Sequence, residues 1–428
     1  MSLEQAQALI EQGDIEGGWN IVKGMMAYRP NDPHLLIAAS YCMQQAGNWV
    51  VAYHLAKSSA QSMPNRAEPY LNISAACDQL YLEEEGIDAA EKALQLADSD
   101  RLKSSALMNW ASILINNGKY EEAEPIIRDA IRINPASVKA KGNLGMSLLA
   151  QGRWEEGWKH YSYCLGTTER ARIDYGVPDW HGEDGKVVIY GEQGLGDEVS
   201  FASMLNDAPP SVIDCDYRLK GLFHRSFPQH EVHGGRWKEQ YKGKVDYQCA
   251  IGELGRFYRN SDSDFPRKPY LVADPIRRAQ WKALKESTGK PLVGIAWTGG
   301  MVHTGAKHRR IEKTDLRAIV RGIDAHFVSL EYKPMADVEG IHVYPWATLT
   351  EDYDDTAALV AECDLVITIQ TAVAHLAGAL GVPCIVLVPH ICQWRYHPAE
   401  MRWYGDNFHV VKAPWDFGKI IERAKDYL

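Results

Sequence analysis

Not one C-x-x-C pair, and no spacing of zinc ligands, occurs among the eight cysteines at positions 42, 77, 164, 215, 249, 363, 384 and 392. Eight thiols in 428 residues are also too sparse for a disulfide framework, so reduced and mostly buried cysteines are expected. Basic residues are outnumbered: 46 Lys and Arg face 56 Asp and Glu, a formal charge of −10. A field of that sign argues against binding nucleic acid or anionic lipid through overall charge, and leaves only a local basic patch for such work. The opening MSLEQAQALIEQGD has neither the basic start nor the apolar stretch of a secretory signal. Long uncharged runs are scarce. The one of note, Leu365–Pro389, carries no Asp, Glu, Lys or Arg over 25 residues, longer than the ~20 a spanning helix needs. It nevertheless holds Gln370, Thr371, His375, Gly378, Gly381 and Pro383 between two β-branched runs. Strand, helix and strand (LVITI, TAVAHLAGAL, CIVLV) fit it better than one membrane helix. The expectation is a cytoplasmic chain without a membrane span. Core-forming residues are plentiful: 46% hydrophobic and 10% aromatic, enough for two or three domains.

The first 165 residues repeat. Gly13 and Gly47 lie 34 apart, as do Gly118 and Gly152; Pro30 and Pro64 keep the same step. Small residues follow it too, from Gly18 to Ala52 and from Ala89 through Ala123 to Gly157. The interval from Gly47 to Gly118 is two steps plus three residues, which predicts a small insertion in the third unit. Each unit reads as two amphipathic helices joined at a glycine, as in NWASILINNGKYEEAEPIIRDAIRINP (109–135), and the pattern resembles the tetratricopeptide repeat, with about five units. Such a solenoid buries its core between neighbouring units and leaves a concave face for a partner. It would present a protein, peptide or glycan acceptor, or else cap the next domain or hold a homo-oligomer. Trp110, Tyr120, Trp154, Trp158 and Tyr161 sit at helical spacing and are expected in the core.

After Gly166, short β-branched runs alternate with helical stretches, which predicts parallel sheets with right-handed crossovers. Expected strands are VVIY (187–190), SVIDCD (211–216), PLVGIAW (291–297), HFVSL (326–330), IHVY, LVITI, CIVLV and FHVV. A charged helical junction near 274–289 separates a short lobe, 167–272, from a larger one, 273–428, behind a solenoid of residues 1–166. Two such lobes leave a cleft at the carboxyl ends of their strands, where open α/β sheets bind ligands.

Three loops there carry candidate chemistry. In YGEQGLGDEVSFASML (190–205), Gly194 and Gly196 supply two glycines of a dinucleotide fingerprint, but Val199 stands in place of the third. Asp214, 20 residues beyond Gly194, keeps a dehydrogenase in view. Asp197 and Glu198, however, occupy the helix start that a pyrophosphate would use. Asp197 suits a general base, or simply a helix cap. In ITIQTAVAHLAGALGVP (367–383) a strand runs straight into a helix. The first-turn N–H groups of Thr371, Ala372 and Val373 can cradle a phosphate there, and His375 can face ligand or core. Between them, WTGGMVHTGAKHRRIEKTDL (297–316) sets Lys307, His308, Arg309 and Arg310 beside the cleft, either as cations for a leaving pyrophosphate or as a solvated loop. No His cluster has ligand spacing, and no metal is expected.

GEQGLGDEVSFASML, VGIAWTGG, FVSLE and DTAALVAECDLVITIQTAVAHLAGALGVP, in that order, resemble glycosyltransferase family 9, the ADP-heptose:lipopolysaccharide heptosyltransferases. The fusion to repeats is similar in architecture to the O-linked N-acetylglucosamine transferases. The resemblance implies a GT-B fold of two Rossmann-like lobes, a nucleotide-sugar donor as substrate with no cofactor, no metal, and transfer with inversion. It places Asp197 as the base and Lys307, with Arg309 beside it, at the donor phosphates. Glu331 stands near the ribose-binding acid, and Thr371, Ala372 and His375 match the D-T-G-x-x-H segment. Two departures are plain. Gln370 replaces that segment's aspartate and can hydrogen-bond a sugar hydroxyl but carries no charge; the first lobe is only about 100 residues. A binding scaffold with a degenerate transferase domain is the competing expectation.

Overall fold

The computed structural model describes the chain apart from residues 1, 168–169, 301–308, 335–337, 391 and 399 and the side chain of residue 11. Contacts divide it into two compact units, Met1–Gln151 and Gly152–Leu428.

The first unit is a run of helix pairs: α1 (Leu3–Glu11) with α2 (Ile15–Met26), α3 (Pro33–Gln45) with α4 (Trp49–Ser62), α5 (Ala67–Leu80) with α6 (Glu83–Leu96), α7 (Asp100–Asn116) with α8 (Tyr120–Ile133), and then α9 (Val138–Ala150). Polar residues start many of them. Asp32 accepts from the His34 and Leu35 N–H groups ahead of Pro33, and Ser137 accepts from Ala140 N–H. The turns inside the pairs need a left-handed residue, which Gly13, Gly47 and Gly118 provide at φ 90°, 73° and 72°. Tyr81, one 34-residue step after Gly47, makes the third turn at φ 61°. The three extra residues therefore lie beyond Tyr81. They lengthen α7, which has 17 residues where α3 and α9 have 13.

That placement corrects one register. The fourth residue of each second helix is Gly18, Ala52, Gly86 and Ala123, so Gly86 and not Ala89 belongs to the small-residue series. An added Cβ would fall 2.4 Å from Ile10 Cγ1 at Gly18 and 2.9 Å from Cys77 Cβ at Gly86. Successive pairs are also tied by side-chain amides: Asn72 Nδ2 donates to Ile37 O at 3.1 Å and Asn109 Nδ2 to Leu71 O at 3.0 Å.

The second unit begins with α10 (Trp154–Tyr161), so the division falls at Gln151 rather than after residue 166. The reason is aromatic packing. Trp154 and Trp158 lie against Trp403, with Phe265 and Trp394 in the same cluster, and Trp158 Nε1 donates to Arg259 O at 2.7 Å.

Two all-parallel sheets follow. The first contains β1 (Val187–Tyr190), β2 (Val212–Cys215), β3 (Glu231–Gly234) and β4 (Tyr247–Ala250) in the order β3-β2-β1-β4, with α11 (Leu195–Phe201), α12 (Lys220–Ser226) and α13 (Gly255–Tyr258). The junction helix α14 (Pro275–Thr288) runs from an Asp274 cap to Gly289 at φ 62°. The second sheet contains β5 (Leu292–Ala296), β6 (His326–Ser329), β7 (Ile341–His342), β8 (Leu365–Ile369), β9 (Cys384–Val388) and β10 (Phe408–Lys412) in the order β10-β9-β8-β5-β6-β7. Its helices are α15 (Lys313–Gly322), α16 (Pro345–Thr348), α17 (Tyr353–Val360), α18 (Ala372–Leu380) and α19 (Phe417–Lys425). β5, β8 and β9 are buried along their whole length, the mark of central parallel strands. None of the eight cysteines is in a disulfide, and seven of them are buried.

Candidate functional site

Strand order locates the site before any side chain does. In the first sheet the chain runs β1, β2, β3 outward and then crosses to the other side of β1 for β4; in the second it runs β5, β6, β7 and crosses to the other side of β5 for β8. Each sheet therefore has a crevice at its reversal point, between β1 and β4 and between β5 and β8, where open α/β sheets bind ligands. The loops that follow β1, β5 and β8 are the three singled out from the sequence.

Glycines bring these loops together. An added Cβ at Gly196 would lie 3.0 Å from Ala372 Cα and 3.2 Å from His375 Cδ2, so α11 and α18, from different sheets, touch backbone to backbone. At Gly299 it would lie 2.2 Å from Thr371 Cγ2, which seats the loop after β5 on the start of α18. That loop closes on itself: Gly299 N–H donates to Arg309 O at 3.1 Å and Ile311 N–H to Trp297 O at 2.9 Å. Arg309 is half-buried, and its charge acts on the Cys392 thiol and the Tyr396 hydroxyl. Lys307 lies outside the described residues.

Asp197 stands in the first turn of α11. Its Oδ2 accepts the Gly194 N–H at 3.2 Å, a capping contact, and its Oδ1 pairs with Arg395 Nη1 at 2.8 Å. The side chain keeps 19% exposure. Both the cap and an ionised partner are thus present at once. Glu198 is fully engaged instead: Oε1 pairs with Arg236 and Oε2 accepts Asp216 N–H at 2.8 Å. Burial pushes its carboxyl up to about 7, against the pull of Arg236.

Thr371 caps α18 at φ −140°, and its hydroxyl lies 3.3 Å from that of Thr368. Thr371 and Ala372 are half-buried, while Val373 is buried. His375 is placed in the core: Nδ1 meets Tyr404 OH at 3.0 Å and Nε2 meets Tyr396 OH at 3.2 Å. Both ring nitrogens are taken, so none is left for a ligand. Burial, reinforced by Arg395, drives the imidazole down to about 3, and it is neutral. Gln370, 3% exposed, has neither amide atom hydrogen-bonded among the described residues. In a folded interior such an amide costs about 1–3 kcal/mol.

Glu331, at the end of β6, accepts from Trp297 N–H at 2.6 Å, Thr298 N–H at 2.7 Å and the Thr298 hydroxyl at 2.6 Å. It braces the loop after β5 and also lines a cavity of about 190 Å³ with Ser329, Lys333, Val338, Ile341 and Leu349. Burial raises its carboxyl above the ordinary range.

Sequence reading missed Arg395, whose side chain is 2% exposed and lies 4.5 Å from the Phe201 ring centre and 4.9 Å from that of Trp394. A lone arginine between aromatics (QWRYHP) was the available signal. It also missed Glu192 in the β1 loop, which pairs with buried Arg170 at 2.9 Å and would meet any Cβ on Gly252 after β4. Among the described residues no group of three or more His, Cys, Asp or Glu is placed to hold a metal, and no helix is long and apolar enough to cross a membrane.

Residues 79–138 and 108–162 match the tetratricopeptide repeat family. Protein FlbA of Caulobacter vibrioides is 29% identical over 474 residues, covering 94% of this chain and 76% of FlbA. Among solved structures, TTC0263, a thermophilic TPR protein of Thermus thermophilus, is 16% identical and covers 37% of this chain and 86% of its own, with a TM-score of 0.34. MamA from Desulfovibrio magneticus RS-1 is 15% identical over 37% of this chain and 88% of its own, with a TM-score of 0.32. The N-terminal region is a helical solenoid of tetratricopeptide repeats; the C-terminal unit is an α/β assembly of parallel sheets.

Proposed function

We propose that residues 152–428 form a GT-B glycosyltransferase that moves a sugar from a nucleotide-sugar donor to an acceptor hydroxyl with inversion and without a metal, and that the repeats present the acceptor. The observation that carries this reading is the approach of Gly196 to Ala372, which sets the Asp197 turn of one sheet against the open start of α18 in the other. In the proposed reaction Asp197 takes the acceptor proton as the new bond to the anomeric carbon forms, and the bond to the nucleoside diphosphate breaks with its electron pair. The α18 N–H groups, Lys307 and Arg309 receive that charge. The cavity beside Glu331, smaller than the roughly 300 Å³ of a whole-ligand pocket, suits the ribose or base end of the donor.

Two observations favour the scaffold reading: Gln370 is closed off from solvent, and Asp197 is paired with Arg395. A panel of UDP-, ADP-, GDP- and CMP-sugars separates the two. The transferase reading expects one donor to raise the melting temperature through a stabilisation of about 2.7 kcal/mol at 100 times its dissociation constant. It also expects sugar release or transfer that survives excess EDTA. Binding of a nucleotide with no turnover on any acceptor leaves the scaffold; loss of activity to chelator with rescue by manganese contradicts the metal-free reaction.

A further inference from the structure

Arg395 is an unusual residue to bury. Its guanidinium is wedged against the Phe201 and Trp394 rings with 2% of the side chain exposed, yet only one nitrogen is in use. Nη1 forms an ion pair with Asp197 Oδ1 at 2.8 Å and donates a hydrogen bond to Gln393 Oε1 at 3.4 Å; Nε and Nη2 have no hydrogen-bond partner among the described residues. An arginine kept for the fold uses its whole fork, as Arg170 does: Nε and Nη2 go to Glu192, and Nη1 goes to Tyr161 O and Glu253. A buried cation with two idle donors is a net cost, and an apolar side chain of similar volume would fill the same aromatic slot without it. Beyond its contacts with the two rings, the charge holds the Asp197 carboxylate. The Gly194 N–H binds Oδ2, so the carboxylate is held at both oxygens.

We infer that Arg395 is a positioning residue, kept to orient Asp197 for proton transfer and not to stabilise the fold. The inference rests on the transferase reading for what Asp197 does, but the purpose of the cation can be tested without turnover. The full chain is compared with Arg395→Met, Arg395→Lys, Asp197→Asn and the double variant Asp197→Asn/Arg395→Met, by melting and by transfer kinetics. Arg395→Met is expected to melt at or above the parent temperature. Asp197→Asn should melt several degrees lower, because it strands a buried cation, and adding Arg395→Met should return most of that loss. In kinetics, Arg395→Met should lower kcat at least about tenfold, the scale of a misplaced catalytic group, with donor KM held within about twofold. Arg395→Lys should recover part of the rate, and the double variant should be no slower than Asp197→Asn alone. Melting of Arg395→Met as low as Asp197→Asn, an unchanged kcat, or additive rate losses would each overturn the inference. If the parent transfers from no donor, the transferase reading fails, and the melting arm alone decides for whom the cation is kept.

Discussion

Adjacent carboxylates on α11 meet opposite surroundings, and the difference is measurable. Glu198 is 1% exposed, and burial holds its carboxyl near 7 instead of 4.5. The folded chain therefore binds a proton that the unfolded chain releases between those values. The stability this residue contributes is present at low pH and is lost as pH rises through 7. From pH 7 down to pH 5 it gains about 2 kcal/mol, a figure that follows from the raised value by linkage. His375 works the other way: held near 3, it removes stability as pH falls below 6.5. The two oppose each other across mild acid. Glu198→Gln deletes the compensating gain while keeping His375, and its urea midpoint should fall more than the parent's between pH 7 and pH 5. Equal shifts in both proteins would mean that Glu198 is already ionised when folded. None of this could be read from the letters D and E at 197 and 198. Their difference comes from burial, 19% exposure against 1%, and each is met by an arginine, Arg395 or Arg236, 198 and 38 residues away along the chain.

At the scale of elements, what the sequence disclosed depended on where each strand sits. VVIY, LVITI and CIVLV were legible because interior parallel strands are apolar on both faces. EVHG and YQCA, β3 and β4, escaped notice because Glu231, His233 and Gln248 interrupt their apolar runs, whereas IHVY and FHVV, at the edges of the second sheet, keep enough β-branched residues to show. The 34-residue step was legible through its glycines and failed where the glycine is missing. Tyr81 holds the left-handed turn between α5 and α6, where a side chain costs about 1–2 kcal/mol. Tyr81→Gly should restore the common turn and raise stability by about 1 kcal/mol, less any packing the half-exposed ring provides. The check is denaturant unfolding of the whole chain; a lower midpoint would assign the ring a packing role larger than the strain. The candidate site divides in the same way. Gly196, Asp197, Thr371 and Ala372 follow strands and announce a turn, whereas Arg395 lies in a single 3₁₀ turn whose importance arises only from what surrounds it.

For the whole molecule, the two units predict where it can be cut. Removal of residues 1–165 would take away α10, and with it the Trp154 and Trp158 rings and the Trp158 bond to Arg259. Loss of two large buried aromatics costs several kcal/mol each, so that fragment is expected to aggregate or melt early. A fragment of residues 152–428 keeps the cluster and, on the transferase proposal, should retain donor-induced stabilisation while losing transfer to the acceptor that the repeats present. Unchanged kinetics on that acceptor would return the repeats to a capping or oligomerising role.

The same cluster gives the second unit an optical identity. Among Trp154, Trp158, Trp394 and Trp403, five ring pairs stand 5.7–6.5 Å apart, centre to centre. Indoles that close share excitation, and their coupled transitions give near-ultraviolet circular dichroism that exists only while the packing is intact. Heat or denaturant should therefore extinguish that band when the α/β unit opens, while the far-ultraviolet helix signal of the solenoid follows its own course. Two spectral windows can time the two halves of one chain separately, without a label, a substrate or a cut.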